Sequence, residues 1–207
     1  MLRVLGRRTS VNVQKVMWLA AELDLEIERV DIGGPHGGND TPEYLAKNPN
    51  GLVPTLEDGD FVLWESNAIV HYLAETRGQA PWFPAEAAGR ALASQWMDWY
   101  LTIMHPPMTV IFWSLIRTAP ENRDEESFRK TLKKASRFWA MVDKHLEKAD
   151  YMTGDEPTIG DIPLGCSVNR WFTLDVERPT LPRLEAYYQR LKERPAYQEH
   201  VLAVIME

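Results

Sequence analysis

The chain has one cysteine, Cys166, among its 207 residues. No internal disulfide can form, and that usage fits a reducing compartment. One cysteine and five scattered histidines leave no spacing suited to a zinc ion. No apolar run approaches the ~18 residues that a membrane span needs. The segment from Met1 to Gly6 lacks the apolar core and small-residue cleavage site of a secretory signal. These absences point to the cytoplasm and away from a membrane. Clustered positive charge is also missing. No basic run is longer than Arg7-Arg8, and the formal net charge is -7. A nucleic-acid partner would need a positive footprint, so none is expected. There is no internal repeat and no low-complexity tract.

What is present is enough for a folded core. Hydrophobic residues make up 44% of the chain, with 8 tryptophans, and charged residues of mixed sign make up 26%. Such a composition folds, and its length suits one large domain or two small ones. Residues 2–6 read as a short strand. Val13, Val16, Met17, Ala20 and Leu23 then fall on one helical face. Residues 27–32 alternate as a second strand, and 33–38 are a glycine-rich loop. Thr41 followed by Pro42 starts a short helix. Two strands around Asp58-Gly59 and a helix over 66–76 follow. The first strand pair must be parallel and the second antiparallel, which is a thioredoxin-like α/β arrangement. Residues 81–84 read as a linker. Everything beyond is helical: a long aromatic helix over about 90–118, kinked at Pro106-Pro107; one marked by Phe128, Leu132, Ala135, Trp139, Val142 and Leu146; then 158–172, 182–194 and a short tail helix. The expected domains are 1–80, thioredoxin-like, and 90–207, all-α, joined by a linker over 81–89.

The most informative segment runs from Asn50 to Leu73. Val53-Pro54 stands just before a strand, a natural place for a cis peptide. Val53 then has backbone groups outside the sheet ladder, free for a ligand. Glu65-Ser66 opens the next helix, where a hydroxyl and the first free N–H groups form an anion site. Together these suit a small peptide with a free α-carboxylate. The pair of segments resembles the glutathione-binding half of the cytosolic glutathione transferases. Thr158 to Ile162 is similar to that family's capping box, and the segments Arg178–Tyr187 and Arg194–Tyr197 resemble its C-terminal pattern. The resemblance spans essentially the whole chain.

That resemblance implies roles for particular residues. Ser10 and Asn12 would activate the glutathione sulfur, with Thr9 a competitor to Ser10. On their own, Ser10 and Asn12 read first as helix caps. The first tyrosine is Tyr44 and no cysteine precedes Cys166. The Tyr- and Cys-type classes are thereby excluded, leaving a Ser-type, theta-like or related bacterial class. Val53, Pro54, Glu65 and Ser66 would bind glutathione, Glu65 facing its α-amino group. Asn50, with His36, Asn39 and Lys47, is a candidate for the glycine end. Asp98 would reach the ligand of the other subunit of a homodimer, or else make an intrachain salt bridge. Met108, Phe112 and Trp171 are candidates for the electrophile pocket among the aromatic residues of the helical half. Thr158 and Asp161 are expected to be structural, His71 a half-buried neutral imidazole, and Cys166 a buried inert thiol.

The implied activity is attack by glutathione thiolate on a small soft electrophile. Glutathione is a cosubstrate, and no metal or organic cofactor is implied. Lowering the thiol pKa by about two units corresponds to roughly 2.7 kcal/mol. Two alternatives accompany this reading: a glutathione-dependent disulfide reductase, and a non-catalytic adaptor of the same fold.

Overall fold

In the computed structural model, which describes residues 1–204, β1 (Leu2–Leu5) lies in the interior of a four-stranded sheet. It pairs in parallel with β2 (Ile27–Val30) and antiparallel with β3 (Thr55–Asp58). β4 (Phe61–Trp64) closes the far edge, antiparallel to β3, so the order is β2-β1-β3-β4. This is the thioredoxin-like arrangement expected from the order of elements. The single Gly59-Asp60 connection between β3 and β4 fixes their register, with Thr55 opposite Trp64.

α1 (Val11–Glu22) links β1 to β2, and it departs from the one-faced helix expected. Val11, Val13, Val16, Trp18, Leu19 and Ala20 are all buried, with Gln14 and Lys15. A helix apolar all round belongs in an interior. One side of α1 meets α3 (Ser66–Arg77), and the other meets α7 (Asp161–Thr173) and the chain's last helical turns. Trp18 sets that second contact. Its ring lies edge-on to Tyr197 at 4.8 Å and to Trp82 at 6.1 Å. A Cβ on Gly165 would sit 2.6 Å from the Trp18 ring, so α7 approaches this closely only because position 165 has no side chain. α2 (Pro42–Leu45) is capped as expected, Thr41 Oγ1 accepting from the Tyr44 amide at 3.3 Å.

The segment read as a linker is packed rather than free. Trp82 is buried, and its carbonyl accepts from the Ile159 amide at 3.1 Å. The long helix that follows is α4 (Ala87–Trp99), a π-helical turn (Tyr100–Met104), α5 (His105–Phe112) and a second π turn (Trp113–Arg117). The irregularity sits one turn before Pro106-Pro107 rather than at them. Prolines donate no N–H, so the carbonyls a turn earlier lose their partners and the helix widens there. α6 (Glu125–His145) is capped by Asp124, whose Oδ1 accepts from the Ser127 amide at 3.0 Å. α8 (Pro182–Lys192) and α9 (Pro195–Tyr197) complete the helical half. Residues 205–207 of the expected helical domain lie outside the described residues.

α7 begins at Asp161, not Thr158. Half of the expected capping box is present: Asp161 Oδ2 accepts from the Thr158 amide at 2.9 Å. The Thr158 hydroxyl instead accepts from Gly160. Asp161 Oδ1 also accepts from the Met152 amide at 2.9 Å and the Tyr187 hydroxyl at 3.1 Å. Burial pushes its carboxyl up to about 6, against these three donors, which favour the ionised form. Replacing Asp161 by Ala leaves the donors buried and unpartnered, at about 1–3 kcal/mol each. Thermal unfolding should show Asp161→Ala melting lower by about 6 °C or more. A variant that keeps its melting temperature but loses activity would contradict a structural role.

Candidate functional site

A cleft lies at one end of the sheet's strands, where the loops after β1 and before β3 meet the start of α3 and the wall of α5 and α7. It consists of three adjoining hollows of about 50, 190 and 310 Å³, and Asn12 and Leu52 line all three. The Val53-Pro54 bond is cis. Pro54 is buried, and the Val53 amide and carbonyl take no part in the backbone hydrogen bonds of the loop. Val53, Pro54, Asn50, Glu65 and Ser66 all line the smallest hollow with Asn12. Asn50 stands at its edge, its side chain donating to Asn48 Oδ1 at 3.1 Å.

Glu65 precedes α3 with φ 74 and ψ 112, and its carboxylate does not cap the helix. A non-glycine residue in this region is strained, and such strain persists where surrounding structure holds it. The Glu65 side chain is exposed at the hollow, while Ser66 beside it is buried.

Ser10 sits at the start of α1 without capping it, so the plain cap reading of this residue fails. Its buried side chain lines the second and third hollows, and Thr9 lines the third. Asn12 Oδ1 accepts from the Lys15 ammonium at 2.9 Å and from the Ser66 hydroxyl at 3.4 Å. Asn12 Oδ1 is thus held from two sides, in a residue that lines all three hollows. Lys15 also approaches Ser66 Oγ at 3.4 Å and lies over the Tyr100 ring at 4.9 Å. It is only 1% exposed, and burial lowers its ammonium to about 8.

Beyond Tyr100 the wall continues to His105, whose Nδ1 lies 3.2 Å from the Tyr100 hydroxyl. Burial pushes that phenol up to about 12 and, with Lys15 and Arg170 adding to the effect, pushes His105 down to about 4. His105 is therefore neutral near pH 7, with one ring nitrogen at the Tyr100 hydroxyl and Nε2 3.5 Å from the Thr109 hydroxyl. Phe112, Trp113, Arg7, Arg117 and Arg170 complete the largest hollow.

Phe112 thus joins the site as expected, while Met108 and Trp171 do not. Both are buried in the core, Trp171 near Trp139 at 6.1 Å between ring centres. Helical periodicity marks both core and pocket positions with the same residue types, so it could not separate them. Of the glycine-end candidates, Asn39 and Asn50 line the cleft. Lys47 instead pairs with Glu57 at 2.6 Å, and His36 lies 3.7 Å from Asp31. Asp98 is exposed on α4 and lines none of the three hollows of its own chain. His71 is half-buried with its pKa lowered by burial, and Cys166 is buried with its thiol pushed up to about 12. Sequence reading missed Lys15, His105 and Arg170. Lys15 follows Asn12 by three residues and so shares its helix face, but nothing in that spacing shows burial. Among the described residues no helix is long and apolar enough to cross a membrane, and no cluster of His, Cys, Asp and Glu forms a metal site.

Fold and cleft define a thioredoxin-like domain that offers a small peptide an open backbone edge and faces a helical domain across it. The glutathione S-transferase N-terminal domain model matches residues 1–75, and the glutathione S-transferase C-terminal domain model matches residues 96–195. The chain is 38% identical to glutathione S-transferase GstB of Escherichia coli K12 over 98% of each chain. A crystal structure of the theta class glutathione S-transferase of Xanthomonas axonopodis pv. citri, with glutathione bound, superposes with a TM-score of 0.95 at 43% identity, covering 100% of this chain and 99% of that one. The apo form of that enzyme gives 0.87 at 37% identity, covering 100% and 98%. The chain belongs to the glutathione transferase family.

Lys15 carries a measurable consequence. A buried ammonium whose pKa falls from 10.5 to about 8 makes the folded state less stable by about 3 kcal/mol. The sign follows from proton uptake. The cost is complete below pH 8, where both states are protonated, and it fades as pH rises towards 10.5 and the unfolded chain also loses its proton. Lys15→Met should therefore stabilise the ligand-free protein by up to about 3 kcal/mol at pH 7, and by less at higher pH. Urea unfolding at pH 7 and pH 9.5 measures this. A pH-independent difference, or a destabilised variant at pH 7, would show that Lys15 is not held as a strained cation.

Proposed function

We propose that this glutathione transferase holds glutathione along the three hollows and presents its thiolate to a small soft electrophile. The supporting observation is the Asn12 amide, clamped by Lys15 and Ser66 where the hollows meet. In this reading the γ-glutamyl carboxylate lies on the Ser66 hydroxyl and the free N–H groups of α3, with the Lys15 ammonium behind them. Glu65 faces the α-amino group. The Val53 backbone pairs with the cysteinyl residue, and the glycine end points towards Asn39. The Asn12 amide and the Ser10 hydroxyl then donate to the sulfur. The start of α1 adds partial positive charge that favours thiolate over thiol.

Glutathione is a cosubstrate in this reading, and no metal or organic cofactor takes part. The enzyme works in the cytoplasm as a homodimer. Exposed Leu92, Leu101 and Ile103 on α4 and the turn after it give the dimer an apolar surface to cover. Asp98 lies on the same element and reaches the partner's ligand. Turnover of an aryl halide, rather than of a glutathione mixed disulfide, separates a transferase from a disulfide reductase.

Ser66→Ala removes a hydrogen bond to a charged group, about 1.5–3 kcal/mol, so glutathione should bind roughly 10- to 100-fold more weakly by titration calorimetry. Unchanged affinity would exclude this position for the γ-glutamyl end. Asp98→Asn in the same titration should also weaken binding. Intact affinity, in a chain that light scattering shows to be dimeric, would remove Asp98 from the site.

The ultraviolet absorbance of bound thiolate, followed against pH, tests activation separately. Asn12→Ala should raise the pKa of the bound thiol by about 1–2 units, the value of one charge-assisted hydrogen bond, and Ser10→Ala by less. If neither variant moves it, activation passes to Thr9, which lines the same cleft.

A further inference from the structure

The largest hollow, about 310 Å³, is the part of the cleft beyond the sulfur position. Its lining combines Phe112 and Trp113 with Arg7, Arg117 and Arg170, and no Asp or Glu lines it among the described residues. With His105 neutral, the charged side chains that line it among the described residues are all arginines.

Arg170 is the unusual member. It stands in α7, a helix that is otherwise buried almost throughout. Its guanidinium carbon lies over the Phe112 ring, 4.1 Å from the ring centre. Its Nε is buried without a hydrogen-bond partner, and no ion pair among the described residues includes it. Burial lowers its pKa; Tyr100 and Cys166 oppose that shift, and the charges of Arg117 and Arg7 add to it. A cation held this way weakens the fold unless an anion joins it. The Phe112 ring attracts the guanidinium but supplies no counter-charge.

Arg7 is placed by its surroundings as well. Gly33 and Gly34 have φ of 82 and 60, and a Cβ on Gly34 would lie 2.9 Å from Arg7 Cδ and Nε. The loop thus leaves a channel that the Arg7 side chain occupies on its way to the cleft. Three guanidinium groups from three separate segments converge on one apolar-floored hollow. A site for a purely apolar electrophile does not need Arg170, which has no ion-pair partner among the described residues.

We propose that the second substrate is a small electrophile bearing a carboxylate or similar anionic group, gripped by Arg170 with Arg7 and Arg117 around it, while Phe112 and Trp113 cover its apolar body. This rests on the transferase reading and names its substrate class. The arginines hold the charged end away from the sulfur, so the electrophilic carbon faces the thiolate. With an aryl chloride, the C–S bond forms, the C–Cl bond breaks with its electron pair leaving as chloride, and the thiol proton has already passed to solvent. Guanidinium suits this task because its planar fork meets a carboxylate with two parallel hydrogen bonds.

The test uses the full chain with glutathione and two aryl chlorides matched in shape, a chloronitrobenzoate and the corresponding chloronitrobenzamide. Each kcat/KM is divided by the rate constant of the uncatalysed reaction with glutathione, which removes the difference in intrinsic reactivity. The normalised value should favour the carboxylate about tenfold or more. Raising ionic strength should shrink that preference. Arg170→Gln should lower the carboxylate-to-amide ratio roughly tenfold, and Arg117→Gln, at an exposed position, should lower it by less. If Arg170→Gln does not fold, the salt dependence and Arg117→Gln decide the matter. Equal normalised rates in the unaltered enzyme would overturn the anionic class and leave the transferase standing. A preference for carboxylate that survives Arg170→Gln would overturn the role of Arg170. Turnover of neither compound would overturn the transferase reading and this inference with it.

Discussion

The Lys15 ammonium organises the centre of this protein. It is buried in α1, bonded to Asn12 Oδ1 at 2.9 Å and set over the Tyr100 ring. Through Asn12 it holds a residue that lines the cleft, and through Ser66 it ties α1 to the start of α3. Through Tyr100 it reaches the first helix of the helical half and, beyond it, His105. A charge in such a place opposes folding. It persists because the surrounding helices are fixed by packing that does not depend on it.

That packing centres on α1, which is buried on all sides between the sheet domain and the helical domain. Trp18 wedges against Gly165 and Tyr197, and its indole N–H donates to Glu22 at 2.8 Å. Glu22 in turn receives Arg194 through two hydrogen bonds of 2.7 and 2.6 Å. A bidentate pair of this kind fixes direction as well as distance. The two halves are thus joined by one helix, and the cleft between them inherits its shape from that junction. A shift of α7 relative to α1 would move Arg170 and Asn12 apart.

The cleft changes character along its length. At one end, Glu65 and the start of α3 offer an acid beside hydrogen-bond donors, suited to a ligand with both an amine and a carboxylate. In the middle, Val53 offers open backbone groups. At the far end, three arginines surround an aromatic floor. Neutral His105 adds no further charge to the arginine end.

Much of this was legible in the sequence. The order of strands and helices followed from hydrophobic period and turn residues. The stretch from Val53 to Ser66 could be placed as a candidate site because its devices are local: an X-Pro bond before a strand and a hydroxyl at a helix start both act within a few residues. Ser10 and Asn12 were legible as residues but not as roles, since a loop serine reads first as a cap. Lys15, His105 and Arg170 were not legible at all. Each resembles an ordinary polar residue on a helix until a distant segment packs over it. Met108 and Trp171 were misplaced for the same reason: the period of a helix shows which side chains point inward, not whether they meet core or cavity. The sequence by itself determined the α/β-then-α architecture and the backbone that receives a peptide, because those depend on neighbours along the chain. Only the tertiary structure decided which charges are buried, how Asn12 Oδ1 is held and that three arginines face one hollow, because burial and field are set by groups far apart in sequence and close in space.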